Sequence, residues 1–564
     1  MSNDIFALSH EFVDAMARLQ PISATFKGVP GHDGHWDDFS PEGMAEVRAA
    51  LSSFQRRIPQ AAHLCDPWQR LAARVMNDAI DLEIGAIDER DPLDDLNSIA
   101  SPLQMIRMVF DSMDSNTKEG WDNILERLSS IDRPIGSLRQ KLSSHADSAF
   151  STVRQAEAAL HQARLHAGVA SGFAALPDKA KASNLCSPAF IEALEKAADH
   201  ARRAFQGMAE FLERDYLPKA SKNEGTGRER WLSHARRFLG IDIDPLETYA
   251  WGFEEIRSIS QAMHQTAREI SKDATLPEVI ELLKTDPSRC AATPQAFLDL
   301  MRERQMRALS ELSGTHFEIA EPIRRIDVRI APPSGTLGAY YVVPSEDFSR
   351  PGTVWYSLSE DPKPIAIFDE ISTAYHEGFP GHHLQCGTQI SLAGRLSRFH
   401  RLAEGYHGYA EGWALYAERL MHELGYLDKP DYVLGMLCAQ MMRACRVVID
   451  IGTHLNLPIP EGSPLSSFGA SAWSYDLGIR VIHELGQLDL DHAKSEMTRY
   501  LGWPGQAISY KVGERELLSL RKQEQARLGD AFVLKDFHRM ILGSGNVSLS
   551  LLRDIVRGGG LLPA

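Results

Sequence analysis

The run His376-Glu377-Gly378-Phe379-Pro380-Gly381-His382-His383 sets a proline four residues after a histidine, in a segment flanked by helical patterning. Proline lacks a backbone N–H and clashes with the preceding turn, so no regular helix can carry His376 and a same-face partner through this point. On an ideal helix residue 382 points roughly 120° away from His376, and residue 383 returns to nearly the same face about two turns on. The chain must therefore open or bulge at Pro380-Gly381 if His382 is to act together with His376. A His-Glu pair joined to another histidine is what metal-assisted hydrolysis needs: imidazoles hold a Lewis-acidic ion and the carboxylate takes a proton from water. The run reads as a lengthened H-E-x-x-H motif.

Most of the remaining chain is helical in pattern. Residues 43–57, 67–88, 148–169, 188–215, 245–272 and 294–313 mix apolar residues at three- and four-residue spacing with charges between them. Leu217-Pro218 and Asn223 to Gly227 are breaks, and Asp244-Pro245 reads as an N-cap followed by a first-turn proline. The character changes near Glu321. Arg325–Ile330 alternates charged and apolar residues, and 338–343 and 353–357 are rich in β-branched and aromatic residues, which predicts a small antiparallel sheet over 324–358. The expected architecture is mainly α, with that sheet directly before the histidine motif. A helical N-terminal part, 1–320, precedes a catalytic part, 321–564, the two forming one integrated unit. A strand edge beside a metal helix could pair with a substrate backbone, and a hairpin that merely caps the core fits the pattern equally well.

A formal net charge of −16 over 564 residues argues against nucleic-acid or anionic-membrane partners. Six scattered cysteines without a C-x-x-C pair fit reduced thiols better than a disulfide framework or a thiolate zinc site. The N-terminal residues show no leader pattern and no uninterrupted apolar run has membrane-spanning length, so the expected location is the cytoplasm.

His376 and His382 are the expected metal ligands, with His383 the alternative to His382. Glu411 is the expected third. It shares a helix face with Glu418, seven residues on, among Tyr406, Tyr409, Trp413 and Tyr416, and carboxylates on such a face need a cation or donors. Glu377 is the expected general base. Arg446, Asp450 and His454 recur every four residues on an otherwise apolar helix, and a structural Arg446–Asp450 ion pair competes with a role at the site. Tyr510 is a candidate oxyanion donor and His454 a second. Arg446, His383, Lys511 and Tyr340 are expected to contact substrate. Alternatives in which the histidines only pack, or the glutamates lie on the surface, stay open.

These blocks, in this order, resemble a bacterial family labelled domain of unknown function 885, itself similar to helical zinc carboxypeptidases and oligopeptidases. The resemblance rests on Ala24-Thr25 with Gly28, Asp38-Phe39-Ser40, Ser349 to Thr353, His376-Glu377 with Pro380 to Gln385, Glu411 to Glu418, Arg446 to His454, and Pro504 to Ala507 with Tyr510-Lys511 and Gly513. Trp231 stands where a tyrosine is more usual, and Gly378-Phe379 also departs from the pattern. The resemblance implies two helical halves around a cleft and a zinc-dependent hydrolase, another divalent transition metal being the alternative, acting on a peptide or peptide-like molecule. A hydrolase or lyase of specialised metabolism, or an inactive helical scaffold, are the rival expectations. Oligomeric state is left open, a homodimer among the arrangements allowed.

Overall fold

The computed structural model describes residues 4–60, 64–144, 150–331, 338–358, 364–403 and 405–558. Helices dominate, and many start on one local signal, a Ser, Thr or Asp cap followed by proline. Asp66 accepts from Trp68 N, Ser187 from Phe190 N, Asp244 from Leu246 N and Glu247 N, and Thr293 from Ala296 N, each directly before a proline at the first helical position. The patterned segments form Pro41–Gln55, Pro67–Glu89, Val153–Ala167, Pro188–Phe211, Pro245–Ile270 and Pro294–Leu312.

The chain divides into two compact units. The first comprises residues 1–224 with 397–399 and 501–503. Its larger core gathers Trp121, Leu128, Leu138, Phe173, Phe205 and Tyr216 from several helices, and a smaller one closes on Phe12, which packs edge-on against Phe54 and Phe399. The second unit holds residues 225–396, 400–500 and 504–564. The division thus falls at Glu224/Gly225, and the boundary expected at residue 320 runs through the second unit. The reason is physical: Pro294–Leu312 is a direct support of the histidine motif, as shown below.

The sheet of the second unit is mixed, not antiparallel as expected. Gly352–Ser357 lies in the centre, parallel to Ile326–Ile330 and antiparallel to Gly338–Val342. The central strand is the most buried of the three, whereas charged Asp327 and Arg329 lie on an edge strand; the apolar strand takes the doubly flanked place.

Helix Pro430–His454 is long and apolar enough to cross a membrane, with a mean hydropathy of 1.4, but 72% of that window is buried inside the protein. It packs against Pro245–Ile270, where Gly252 leaves room for Val447 and Val448. Its Asp450 is fully buried and accepts from Trp231 Nε1 (2.6 Å) and from Gly505 N (3.1 Å), tying the helix to the turn that leads into Ser509–Leu528. Trp231 thus uses its indole N–H as a phenol would use its hydroxyl. Helices His407–Glu423 and Ser509–Leu528 meet on glycine: a Cβ on Gly513 would overlap the Gly408 carbonyl oxygen, and one on Gly412 would overlap the Gly513 backbone.

Two predictions follow from this packing. Gly513→Ala must push the two helices apart, and overpacking of this kind costs about 1–3 kcal/mol; denaturant unfolding should show a lower midpoint with an unchanged slope, and an unchanged midpoint would refute the seam. Burial pushes the Asp450 carboxyl up to about 7, against the Trp231 and Gly505 hydrogen bonds that act to lower it. A raised folded-state pKa means the native chain holds this proton more tightly than the unfolded chain. Its contribution is therefore full below the ordinary carboxyl range and is lost as pH rises toward 7. Asp450→Asn should remove that share of the pH dependence of the melting temperature, and parallel profiles for parent and variant would contradict it.

Candidate metal centre

Helix Glu370–Glu377 stops at Gly378, and a second helix starts at His382 and runs to Ser391. The expected opening at Pro380-Gly381 is thus a complete break. The Phe379–Pro380 peptide bond is cis. Gln305, from Pro294–Leu312, serves the broken end: its amide donates to the Ala374 carbonyl and its oxygen accepts from Phe379 N (2.6 Å). Trp413 Nε1 donates to the Pro380 carbonyl (2.9 Å), and a Cβ at Gly381 would overlap the carbonyl oxygens of Tyr375 and His376. Phe379 N and the Ala374 and Pro380 carbonyls at the break therefore each have a side-chain partner.

The break turns His382 back toward His376. Their rings meet edge to face with centroids 4.9 Å apart. Glu411 Oε2 stands 3.4 Å from His376 Nε2 and 3.5 Å from His382 Nε2, and one donor atom from each of the three residues lies within 4.8 Å of the others. Two donors bound at ~2.0–2.2 Å to one tetrahedral ion stand about 3.3–3.5 Å apart. Glu411 Oε2 is sealed from solvent and makes no hydrogen bond. An orphaned carboxylate oxygen facing two imidazole nitrogens fits a cation.

Glu418 sets the other side of the His376 ring. Nδ1 donates to Glu418 Oε1 (2.7 Å), and Glu418 Oε2 accepts from Ser372 Oγ (2.6 Å). The tautomer follows: with its proton on Nδ1, His376 keeps the Nε2 lone pair for the Glu411–His382 side. Burial and Arg443 act to lower the His376 pKa, but Glu411, Glu418 and Glu377 raise it to about 9. Burial alone would raise Glu411, yet the two imidazoles hold its carboxyl well below the usual range. Three carboxylates around one ring make a positive charge favourable here. A proton on His376 is one answer to that surplus, and a divalent cation is a fuller one.

Glu377 Oε1 lies 4.0 Å from His376 Nε2, and its carboxylate makes no hydrogen bond to the described residues. Burial raises its pKa against the lowering pull of His376 and His382. Tyr510 places its ring against two guanidiniums, Arg446 at 4.6 Å and Arg443 at 5.7 Å, and its hydroxyl makes no hydrogen bond. Burial raises its pKa, and the charge of Glu411 adds to that.

Several expected site residues are occupied elsewhere. His383 is buried, with Nδ1 on Tyr341 Oη (3.0 Å) and Nε2 on the Ile323 carbonyl (2.7 Å), so neither ring nitrogen is free for an ion or a substrate. Burial lowers its pKa to about 4. Its partner is Tyr341, and alternation along the strand turns Tyr340 to the other face, where it stacks on Trp355. Lys511 is buried between Glu255 (2.9 Å), Glu514 (2.5 Å) and Gln440 (2.9 Å), a quarter-turn round the helix from Tyr510. Arg446 bonds Tyr500 Oη (2.8 Å) and Glu496 (2.7 Å), not Asp450. It reaches the centre only by stacking on Tyr510. His454, at the helix end, contacts the Tyr500 carbonyl (3.0 Å) and Thr226 Oγ1 (3.4 Å). Eleven residues of helix, roughly 16 Å of rise, separate it from Arg443. It belongs to the packing at the end of the helix.

The sequence reading missed Arg443, Ser372, Gln305 and Tyr341. Arg443 had a signal, since it stands three residues before Arg446 on the same apolar helix. Gln305 had none, because a helix-face glutamine reads as solvent-exposed.

Comparison with known proteins bears on fold and location. A structure of a candidate lipoprotein from Colwellia psychrerythraea is 24% identical, with a TM-score of 0.84, covering 99% of this chain and 98% of that one. One of a candidate lipoprotein of unknown function from Shewanella oneidensis is 17% identical, with a TM-score of 0.71, covering 98% and 99%. Metallocarboxypeptidase 1 of Trypanosoma cruzi is 12% identical at a TM-score of 0.37, covering 98% and 94%, too low for shared geometry to be argued. The two lipoprotein descriptions overturn the expected cytoplasmic location, which rested on the lack of a leader pattern and of a membrane-spanning apolar run. Among curated proteins no sequence matches this chain. The profile of the family described as "Bacterial protein of unknown function (DUF885)" matches residues 21–556, and the chain belongs to that family.

Proposed function

We propose that this protein is a metal-dependent hydrolase of amide bonds in a peptide or peptide-like molecule. His376, His382 and Glu411 would hold the ion, zinc being the one that best suits two imidazoles and a carboxylate. The observation that carries the reading is the convergence of these three donors on a buried Glu411 oxygen that no group of the chain hydrogen-bonds. The ion supplies Lewis acidity, which brings the pKa of water toward neutrality and polarises a carbonyl.

The chain's own groups do the rest. Glu418 and Ser372 hold the His376 ring in one tautomer. Glu377, free of hydrogen bonds and raised by burial, takes a proton from the attacking water as the C–O bond forms. It then returns that proton to the amine nitrogen as the C–N bond breaks, so one water is consumed and carboxylate and amine leave. Tyr510 holds its hydroxyl proton for the oxygen on which negative charge develops.

The side chains of Glu377, His382, Arg443 and Glu411 are 13–18% exposed, whereas those of His376 and Glu418 are 4% and 1%. Of the three residues that would hold the ion, His376 is the sealed one, while His382 and Glu411, like Glu377, are partly reached by solvent.

Glu377→Gln should lower amide hydrolysis by about 10²–10⁴-fold while bound metal, measured by plasma emission, stays at the parent level; retained turnover would sink the assigned base. His382→Ala should lose the metal. His383→Ala should keep it and melt earlier, because it leaves Tyr341 and the Ile323 carbonyl without their partner. A folded His383→Ala protein lacking metal beside a loaded His382→Ala protein would reverse the ligand assignment.

A further inference from the structure

Among the described residues, Arg443 is the one guanidinium of this neighbourhood without a hydrogen-bond acceptor. Arg446 is bonded by Tyr500 and Glu496, Arg499 by Glu496 and Gln506, and Arg419 by Glu514 and Gln440. Arg443 makes no hydrogen bond, and its Nε is sealed from solvent without an acceptor. Its nearest anion is Glu418, with Nη1 3.7 Å from Oε1. That carboxylate already receives His376 Nδ1 on one oxygen and Ser372 Oγ on the other. The 3.7 Å contact is an ion pair without hydrogen-bond geometry.

A guanidinium whose Nε is sealed from solvent without an acceptor is costly, and the Nη groups of this partly exposed side chain hold no hydrogen bond among the described residues. The fork of such a group matches the two oxygens of a carboxylate. Its place narrows the choice. Arg443 lies one carboxylate away from His376 and faces the ring of Tyr510, whose hydroxyl is also unbonded. Arg443, Arg446 and Arg499 act together on Tyr510 against burial and the charge of Glu411, and Glu496 is hydrogen-bonded by the latter two arginines and Tyr500.

We infer that Arg443 receives a carboxylate carried by the substrate next to the amide that is cut, with Tyr510 alongside it. The substrate class is then an amide of an amino acid whose carboxylate stays free. This rests on the hydrolase reading above and adds the recognition element to it. The carboxylate can belong to a C-terminal residue or to an acidic side chain at the same position, and the chemistry at Arg443 is the same.

Three blocked peptides separate these cases: one ending in alanine with a free acid, its alanine amide, and the corresponding aspartate amide. Binding is read by calorimetry on the metal-loaded Glu377→Gln protein, so that no turnover intervenes. The free acid should bind about 10- to 100-fold more tightly than the alanine amide, the range of a charged hydrogen-bonded pair. Arg443→Gln should erase the difference, and Arg443→Lys should restore part of it. Tight binding of the aspartate amide assigns the carboxylate to a side chain, and its weak binding assigns it to the chain terminus. Equal binding of all three, or of none, overturns the inference, and this comparison stands even if the Arg443 variants fail to fold. Turnover by the parent separates the two readings. Equal cleavage of all three leaves the hydrolase and removes the role of Arg443. Selective binding without cleavage keeps the carboxylate site and removes the hydrolase.

Discussion

The hydrogen bond from His376 Nδ1 to Glu418 Oε1, 2.7 Å long and fully buried, is the contact on which the centre depends. It fixes a ring orientation and a tautomer at once, and so decides which nitrogen faces Glu411 and His382. Glu411 and Glu418 straddle the same imidazole because they lie two turns apart on one helix face. A helix shifted by one residue would place neither. The position of His407–Glu423 therefore sets the geometry around His376, and Tyr409 and Trp413 anchor that helix through hydrogen bonds to the Ile541 and Pro380 carbonyls.

That arrangement buries more negative charge than the chain balances. Glu377, Glu411 and Glu418 surround His376, and Glu370, whose Oε2 also lacks a hydrogen bond, is raised to about 8 by burial and by the charges of Asp369 and Glu377. Anions desolvated together are stable only when a proton or a cation joins them. Structural networks nearby are built the other way. Lys511, Glu514, Arg419 and Gln440 form a closed set in which donors meet acceptors. The contrast between a saturated network and a starved one, a few residues apart on the same helix, marks where an outside ligand belongs.

Much of this was legible from residue types. Helices announced by a cap and a proline stand where their patterns put them, and the pairing of the histidine and Glu411 blocks follows from the cost of an unpaired carboxylate on an apolar face. The rest was hidden for definable reasons. Adjacent histidines cannot be told apart by type: His383 differs from His382 only in finding Tyr341 and the Ile323 carbonyl, both distant in sequence. The four-residue stripe of Arg446, Asp450 and His454 was real as a helix face, yet its outer members meet the hydroxyl and the carbonyl of Tyr500 while Asp450 between them meets Trp231 and Gly505. The order of strands in the sheet depends on which strand is buried on both sides, and alternation within one strand does not reveal that.

Unsatisfied polarity carries more functional information here than charge or burial alone. Lys511, Arg446, Asp450 and His383 are buried, polar and close to the motif in sequence or space, and each is spent on the fold. Glu377, Glu411 Oε2, Arg443 and the Tyr510 hydroxyl are among the groups that have no hydrogen bond to the described residues, and they come from four separate helices. Stability by itself selects against the two that are sealed, Glu411 Oε2 and Arg443 Nε, since a buried polar group without a partner costs on the order of 1–3 kcal/mol. Their convergence on the His376–His382 pair is explained if the missing partners are an ion and the two ends of an amide that carries its own carboxylate.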